Sequence, residues 1–202
     1  MADIGKFTIR GFEEQFEPET VDTIRYLLER ITKLNLPCSV RRFYASELSL
    51  CLSAGALLGA LHVASSLLEI VVREIFIELC TKELSDKERK TKNPQRELEE
   101  KREFGFNRLV QKLKEVGIFK PDDAQSACDF YNTVRIPVHH GLPVRFVEKN
   151  TTLLKEQEQI CRIFGIEHCN ISVGFHDFEK AIEKCSLSLI ETSVGLIERI
   201  AK

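Results

Sequence analysis

The sequence of 202 residues contains no tryptophan and one methionine, and its net charge is only −2. Such a nearly neutral chain has no global field that would draw it onto nucleic acid or an anionic membrane, so any such contact depends on a local basic patch. It also lacks the G-x-x-x-x-G-K-[ST], G-x-G-x-x-G and G-x-S-x-G motifs. Nothing therefore indicates a P-loop, a Rossmann cofactor or an α/β-hydrolase nucleophile.

Seven cysteines are spread along the chain, and neither their odd number nor their wide spacing fits a disulfide framework. The N-terminal stretch MADIGKFTIRGFEEQ has no apolar core and carries acidic residues early, unlike a secretory signal peptide. We therefore predict reduced cysteines, several of them packed in a core, and a cytoplasmic location.

Residues 48–68 contain no Asp, Glu, Lys or Arg, and this stretch reaches the roughly 20 residues of a membrane span. It also includes the small-residue pattern GALLG, which could allow helices to approach closely. However, it contains four serines and a histidine, and the apolar pattern continues beyond it through charged residues. We interpret it as a helix buried on most sides of a bundle, with no membrane partner; a membrane-associated protein is the weaker alternative.

Apolar residues recur at intervals of three and four almost throughout, which predicts an all-α protein. We expect a helical bundle of four main helices, with short connections and additional N- and C-terminal helices. The highly charged residues 82–103 have nearly balanced acids and bases, so we interpret them as a solvated connector. The length suits a single domain over residues 1–202.

Proline, glycine and capping residues predict where the helices begin and end. The expected helices run from Pro18 to before Asn35 and Pro37, over residues 45–84, from Asn93 and Pro94 to Gly117, from Pro121 to Ile136, from Thr151 or Thr152 to Gly165, and from Asp177 onward. The stop at Ile136 is expected because Pro137 disfavours the α conformation in the residue before it. Residues 166–176 fit either a short strand or a loop.

The stretch RIPVHHG, residues 135–141, combines side chains suited to metal-free RNA cleavage. Histidine can transfer protons near neutral pH, and arginine can stabilise the extra charge that develops on phosphorus. No acidic residue occurs between Phe130 and Val147, whereas Arg135, His139, His140 and Arg145 fall inside that interval. This stretch is therefore the clearest cationic island of the sequence.

Which histidine faces Arg135 is left open by the sequence. In an unbroken helix, positions 135 and 139 share a face and positions 135 and 140 do not. Pro137 interrupts that geometry, and it can also serve as the first residue of a new helical turn, which would place both histidines near a helix start.

Arg135 is followed after four residues by His140, late in a helical bundle, and this resembles the R-x4-6-H motif of the HEPN superfamily. The layout before the motif is similar as well. A long apolar helix, ALHVASSLLEIVVREIFIEL, precedes FGFNRLVQKLKEVG and then a helix leading into VRIPVHHGL. The resemblance covers about residues 45–145, which leaves residues 1–37 as an N-terminal helical extension and residues 150–202 as C-terminal helices.

The resemblance implies a homodimer in which the motifs of two protomers meet in a shared cleft and cut RNA without a metal or other cofactor. It assigns Arg135 to phosphate stabilisation and His140 to acid or base catalysis, with His139 as a substitute or helper. Tyr131, Asn132 and Arg145 are the neighbours expected to contact RNA. Many relatives are toxins or defence components, which implies a protein partner such as an antitoxin.

The sequence also allows two interpretations other than a ribonuclease. Active HEPN domains usually carry a polar residue directly after the motif arginine, whereas this chain has Ile136 there. That difference favours a catalytically inactive HEPN-like module that acts by protein–protein contact. In the plainest interpretation, Arg135 only stabilises a helix C-terminus, the histidines bond carbonyl groups, and Gly141 makes the turn.

Two further features of the sequence contain residues of the types found in metal or catalytic sites. Cys161, His168, Cys169 and His176 are chemically suited to zinc, but their spacing matches no usual zinc pattern, so we predict no metal site. His62 lies within the apolar helix, and we interpret it as a hydrogen-bonded core or interface residue rather than a catalytic one.

Overall fold

This computed structural model describes residues 12–36, 39–82, 105–139 and 175–201. The fold is an all-α helical bundle, as predicted. The helices of the described residues are a 3-10 turn (Phe12–Glu14), α1 (Pro18–Thr32), α2 (Ser39–Ser53), α3 (Leu57–Lys82), α4 (Phe106–Glu115), α5 (Pro121–Phe130), a π-helix (Tyr131–Arg135), α6 (Ile136–His139) and α7 (Phe175–Ile200).

Helix α1 follows its prediction closely. Pro18 occupies the first turn, where its missing N–H is not needed, and Glu19 suits the positive end of the helix dipole. The helix ends at Thr32, and the N–H groups of Lys33 and Leu34 close it on the preceding carbonyls. One apolar face of α1 is buried, so its amphipathic pattern explains its packing on α2 and α7.

The single long helix predicted over residues 45–84 is wrong, because α2 and α3 are separate helices. The break falls at Gly55, whose φ of 71° is a left-handed conformation that glycine adopts without steric cost. A Cβ at this position would lie 2.8 Å from Oε1 of Gln15 and 3.0 Å from Cε2 of Phe16. Gly55 is therefore a turn residue rather than a site of close helix packing.

Helix α3 is the central element, since α2, α4, α7 and the π-helix all pack against it. The sequence predicts an apolar register along this helix at seven positions. Of these, Leu57, Leu61, Ala64, Leu68, Val71 and Ile75 are buried, and Leu79 is partly buried. Ser193 of α7 donates a hydrogen bond of 2.9 Å to the Ala64 carbonyl, which ties the two helices together inside the core. Among the helices of the described residues, none is long and apolar enough to cross a membrane.

Helix α4 ends at Glu115, and Gly117 closes it, as predicted. The glycine has a φ of 78°, and the N–H of Ile118 bonds to the Leu113 carbonyl at 2.9 Å, the pattern of a Schellman cap. The expected start at Asn93 and Pro94, like the charged connector before it, lies outside the described residues.

The chain does not leave helical conformation before Pro137, so the stop expected at Ile136 is wrong. Instead, α5 widens into the π-helix and continues as α6, with Ile136 at φ −61° and ψ −55°. A proline lacks the N–H that a regular helix uses at an interior position, and the π-helix lies directly before this one in the sequence. The alternative made Pro137 the first residue of a new helical turn, whereas it is the second residue of α6, which follows the π-helix without a break.

Helix α7 begins at Phe175, two residues before the predicted cap at Asp177. Arg30 of α1 holds it through charged contacts to Glu198 at 2.7 Å and Glu191 at 3.0 Å. The short helix predicted from Thr151 or Thr152 to Gly165 lies outside the described residues.

Candidate functional site

The π-helix directs Arg135 towards α3, where it meets Glu69. Nε and Nη2 of Arg135 lie 3.0 and 2.8 Å from Oε2 of Glu69. The side chain of Arg135 is 21% exposed and that of Glu69 is 13% exposed. The pair therefore connects two elements that are 66 residues apart in sequence, at the edge of the core.

Glu69 binds a second arginine with its other oxygen. Its Oε1 accepts hydrogen bonds from Nε and Nη2 of Arg73, at 3.1 and 2.9 Å, one turn further along α3. Two guanidinium groups thus share one carboxylate, which leaves one net positive charge in the cluster. A partly exposed cluster with an unbalanced positive charge is suited to hold a phosphate.

Tyr131 supports Arg135 from within the π-helix. Its ring stacks on Phe106 of α4, with centroids 4.3 Å apart and planes 8° from parallel. The guanidinium carbon of Arg135 lies 6.0 Å from the Tyr131 centroid, at the limit of a cation–π contact. Burial, and after it the charge of Glu69, raises the pKa of Tyr131, so the phenol is neutral at physiological pH.

His139 is held against α3 by its Nε2 atom. That nitrogen lies 3.0 Å from Oγ of Ser65, 3.4 Å from Oγ of Ser66 and 3.3 Å from the His62 carbonyl oxygen. The Ser65 hydroxyl already donates to the same carbonyl at 2.9 Å, so it accepts from His139. We infer that Nε2 of His139 carries the proton of a neutral ring.

The protonation of His139 is consistent with that arrangement. Burial, and after it the charges of Arg135 and His62, lower the pKa of His139 to about 4. A histidine held neutral and bonded through Nε2 positions the end of α6 on α3.

His62 belongs to this cluster, although the sequence suggested only a core or interface role. Its ring lies 4.6 Å from that of His139, centroid to centroid, in an edge-on arrangement. Burial, followed by the charge of Arg135, lowers the pKa of His62. Its ring nitrogens have no hydrogen-bond partner within the described ranges, so the hydrogen bond expected for His62 is made by its backbone carbonyl alone.

Of the other predicted site residues, the structure describes Asn132 but not His140 or Arg145. Asn132 points outward from the π-helix and accepts a hydrogen bond of 3.0 Å from Asn107 of α4. Ile136 is also partly exposed beside it. His140 and Arg145 lie outside the described residues. The structure therefore brings Arg135, His139 and Tyr131 together and leaves the R-x4-H pairing with His140 as a prediction.

In the part of the chain that the structure describes, no group of three or more His, Cys, Asp or Glu side chains could hold a metal ion. Cys161, His168 and Cys169 lie outside that part, as does the side chain of His176. The expectation of no metal site thus stays a prediction for those four residues.

Comparisons of the chain with the models of known protein families, with curated proteins and with solved structures find no match. The likeness to HEPN domains therefore rests on the sequence motif and its layout, and it stays a prediction.

Proposed function

We propose that this chain is a HEPN-like protein that binds single-stranded RNA at the Arg135–Glu69–Arg73 cluster and cleaves it without a metal ion. The observation that carries the proposal is the sharing of one carboxylate by two guanidinium groups at a partly exposed position. The cluster keeps a net positive charge in a chain whose total charge is −2.

Arg135 is suited to bind a phosphate without giving up Glu69. A guanidinium has five N–H donors, and the contacts to Glu69 use only its Nε and Nη2 atoms. The remaining edge can donate to a phosphate while the carboxylate fixes the orientation of the plane. Such a preorganised cation stabilises the charge that develops on phosphorus during cleavage.

The resemblance supplies the remaining roles of this proposal. His140 would transfer a proton near the reacting phosphate, and the motifs of two protomers would meet in a homodimer, as they do in active HEPN domains. A toxin or defence role, with a protein partner such as an antitoxin, would follow from the same kinship. A cytoplasmic location is part of the same proposal, and it is supported by Cys51 and Cys128, which form no disulfide.

The binding part of the proposal is tested by fluorescence anisotropy with a labelled single-stranded RNA over a range of salt concentrations. Each phosphate contact releases counterions, so affinity should fall as salt rises. Arg135→Ala should weaken binding about tenfold at low salt and reduce the salt slope by about one. Arg25→Ala, which removes an exposed arginine of α1, is the matched control and should bind as the wild type does.

Two results would overturn this proposal. One is a wild-type chain with no measurable RNA affinity at low salt. The other is a folded Arg135→Ala variant that binds with unchanged affinity and salt slope, because a local phosphate site cannot lose its central cation without effect.

The second candidate is a catalytically inactive HEPN-like interaction module, and the surface of α2 favours it. Phe43 and Leu50 lie on the same outward face of this helix and are 60% and 63% exposed, with Val40 partly exposed nearby. Exposed apolar side chains grouped on one helix face are typical of protein contacts. Sedimentation of the wild type beside Phe43→Ser/Leu50→Ser tests it: equal behaviour without self-association would remove the support for a homotypic contact.

A further inference from the structure

Four polar side chains of α3 form a stripe along one face of this mostly apolar helix. His62, Ser66, Glu69 and Arg73 are spaced by four, three and four residues, which places them on one face. That face meets the π-helix and α6, as the contacts of Glu69 to Arg135 and of Ser66 to His139 show. His62 therefore lies about two turns, roughly 10 Å, along the same stripe from the residue that binds Arg135.

The two histidines of the cluster differ in what their nitrogens contact. His139 uses Nε2 for the contacts to Ser65 and to the His62 carbonyl, so it is committed to holding α6 on α3. The ring of His62 is half-buried, and within the described ranges neither of its nitrogens has a hydrogen-bond partner. His139, in the tautomer inferred above, keeps a lone pair on Nδ1 but its ring is fixed through Nε2, whereas within the described ranges the ring of His62 is fixed by no hydrogen bond.

The surroundings of His62 keep this lone pair unprotonated near neutral pH. Among the described residues, the groups that act on it are Arg135 on the π-helix and the neutral ring of His139 on α6. Burial and the charge of Arg135 both lower the pKa of His62, and no carboxylate contacts its ring among the described residues. A neutral imidazole beside a fixed guanidinium can accept a proton while the cation stabilises a phosphate.

We propose that His62 is a catalytic residue of this site and acts as the general base on RNA, an inference that rests on the proposed ribonuclease function. A ring nitrogen of His62 takes the proton of a ribose 2′-hydroxyl, and the oxygen forms a bond to the adjacent phosphorus. The bond from phosphorus to the 5′-oxygen breaks, and that oxygen leaves with the electron pair and takes a proton from water. The products are a 2′,3′-cyclic phosphate and a 5′-hydroxyl, with Arg135 stabilising the charge on phosphorus.

The test measures cleavage of a labelled single-stranded RNA in EDTA between pH 5 and 8, for the wild type, His62→Ala and His62→Gln. The wild-type rate should rise with pH and level off above the pKa of His62, because only the neutral ring accepts a proton. His62→Ala should cut about 100-fold more slowly and lose this acid limb, while added imidazole should restore part of the rate. RNA affinity, measured by anisotropy with a non-cleavable 2′-deoxy strand, should change less than about twofold, because the neutral ring carries no charge for phosphate.

Each other outcome has a distinct meaning. A wild type that cleaves together with a His62→Ala variant that cleaves within about threefold of it overturns the role of His62 and leaves the ribonuclease function standing. A His62→Ala variant that also loses RNA affinity, or that melts early and is not rescued by imidazole, shows a structural role instead. A wild type that does not cleave overturns both proposals.

Discussion

Replacing Glu69 by glutamine tests how the site is held together. The substitution keeps the shape of the side chain but removes the negative charge that Arg135 and Arg73 both contact. Hydrogen bonds to charged groups contribute about 1.5–3 kcal/mol when they are partly buried. The pair with Arg73, by contrast, is an i,i+4 contact within one helix, and such pairs contribute only about 0.3–0.5 kcal/mol.

We therefore expect Glu69→Gln to lower the free energy of unfolding by about 2–3 kcal/mol, mostly through the lost contact with Arg135. For a chain of this length, that corresponds to a fall in Tm of about 5–10 °C. Urea unfolding followed by circular dichroism gives the free energies. Double-mutant cycles with Arg135→Gln and Arg73→Gln then separate the two contacts.

The cycle with Arg135 should give a coupling energy above about 1 kcal/mol, and the cycle with Arg73 one below about 0.5 kcal/mol. A Glu69→Gln variant that melts within about 1 °C of the wild type would refute this reasoning. So would a stronger coupling to Arg73 than to Arg135, because the contact between α3 and the π-helix would then carry little of the stability.

Three further predictions concern pH, the turn before α3 and the surface of α2. The folded state holds the pKa of His139 at about 4, below its unfolded value, so stability is complete above about pH 6.5 and falls towards pH 4. Over that pH range, urea titrations should show that the wild type loses about 1–2 kcal/mol more unfolding free energy than His139→Asn does, a figure reduced for solvent screening. Parallel plots of unfolding free energy against pH for the two proteins would contradict this prediction. Gly55→Ala should lower Tm by several degrees, because its φ of 71° disfavours a side chain and the new Cβ would lie 2.8 Å from Oε1 of Gln15. The control Gly59→Ala, whose Cβ would lie 3.6 Å from the nearest atom, should leave Tm unchanged or raise it. Equal shifts in Tm for the two variants would argue against the turn. Phe43→Ser and Leu50→Ser should each change the unfolding free energy by less than about 0.5 kcal/mol, because both side chains are exposed. A loss above about 1 kcal/mol in urea unfolding would show that these side chains are packed against another part of the protein.

The helical fold could be predicted from the sequence because burial and apolar spacing agree along most of the described chain. The register of α3 and the ends of α1 and α4 follow directly from that agreement. The break at Gly55 could not be predicted in the same way. The apolar pattern continues through it, and Gln15, which packs where a Cβ of Gly55 would lie, is 40 residues earlier in the sequence.

Only the residues of the RIPVHHG motif could be predicted as part of the candidate site. The types of residue in RIPVHHG indicated Arg135 and the histidines, since guanidinium and imidazole are the groups that this chemistry needs. Glu69, Arg73 and His62 were missed, because their part in the site depends on how the π-helix packs on α3. The polar stripe at positions 62, 66, 69 and 73 of an apolar helix was the one pattern that could have revealed them.

The account as a whole rests on Arg135, and metal-free cleavage tests it most directly. Purified wild-type protein, Arg135→Ala and the control Arg25→Ala would be incubated with a pool of labelled single-stranded RNAs in EDTA, each variant being shown to be folded by circular dichroism. We expect the wild type and Arg25→Ala to cut the RNA and leave 2′,3′-cyclic phosphate ends, and Arg135→Ala to cut at least about 100-fold more slowly. Failure of the wild type to cut, or cutting by a folded Arg135→Ala variant at the wild-type rate, would contradict the account.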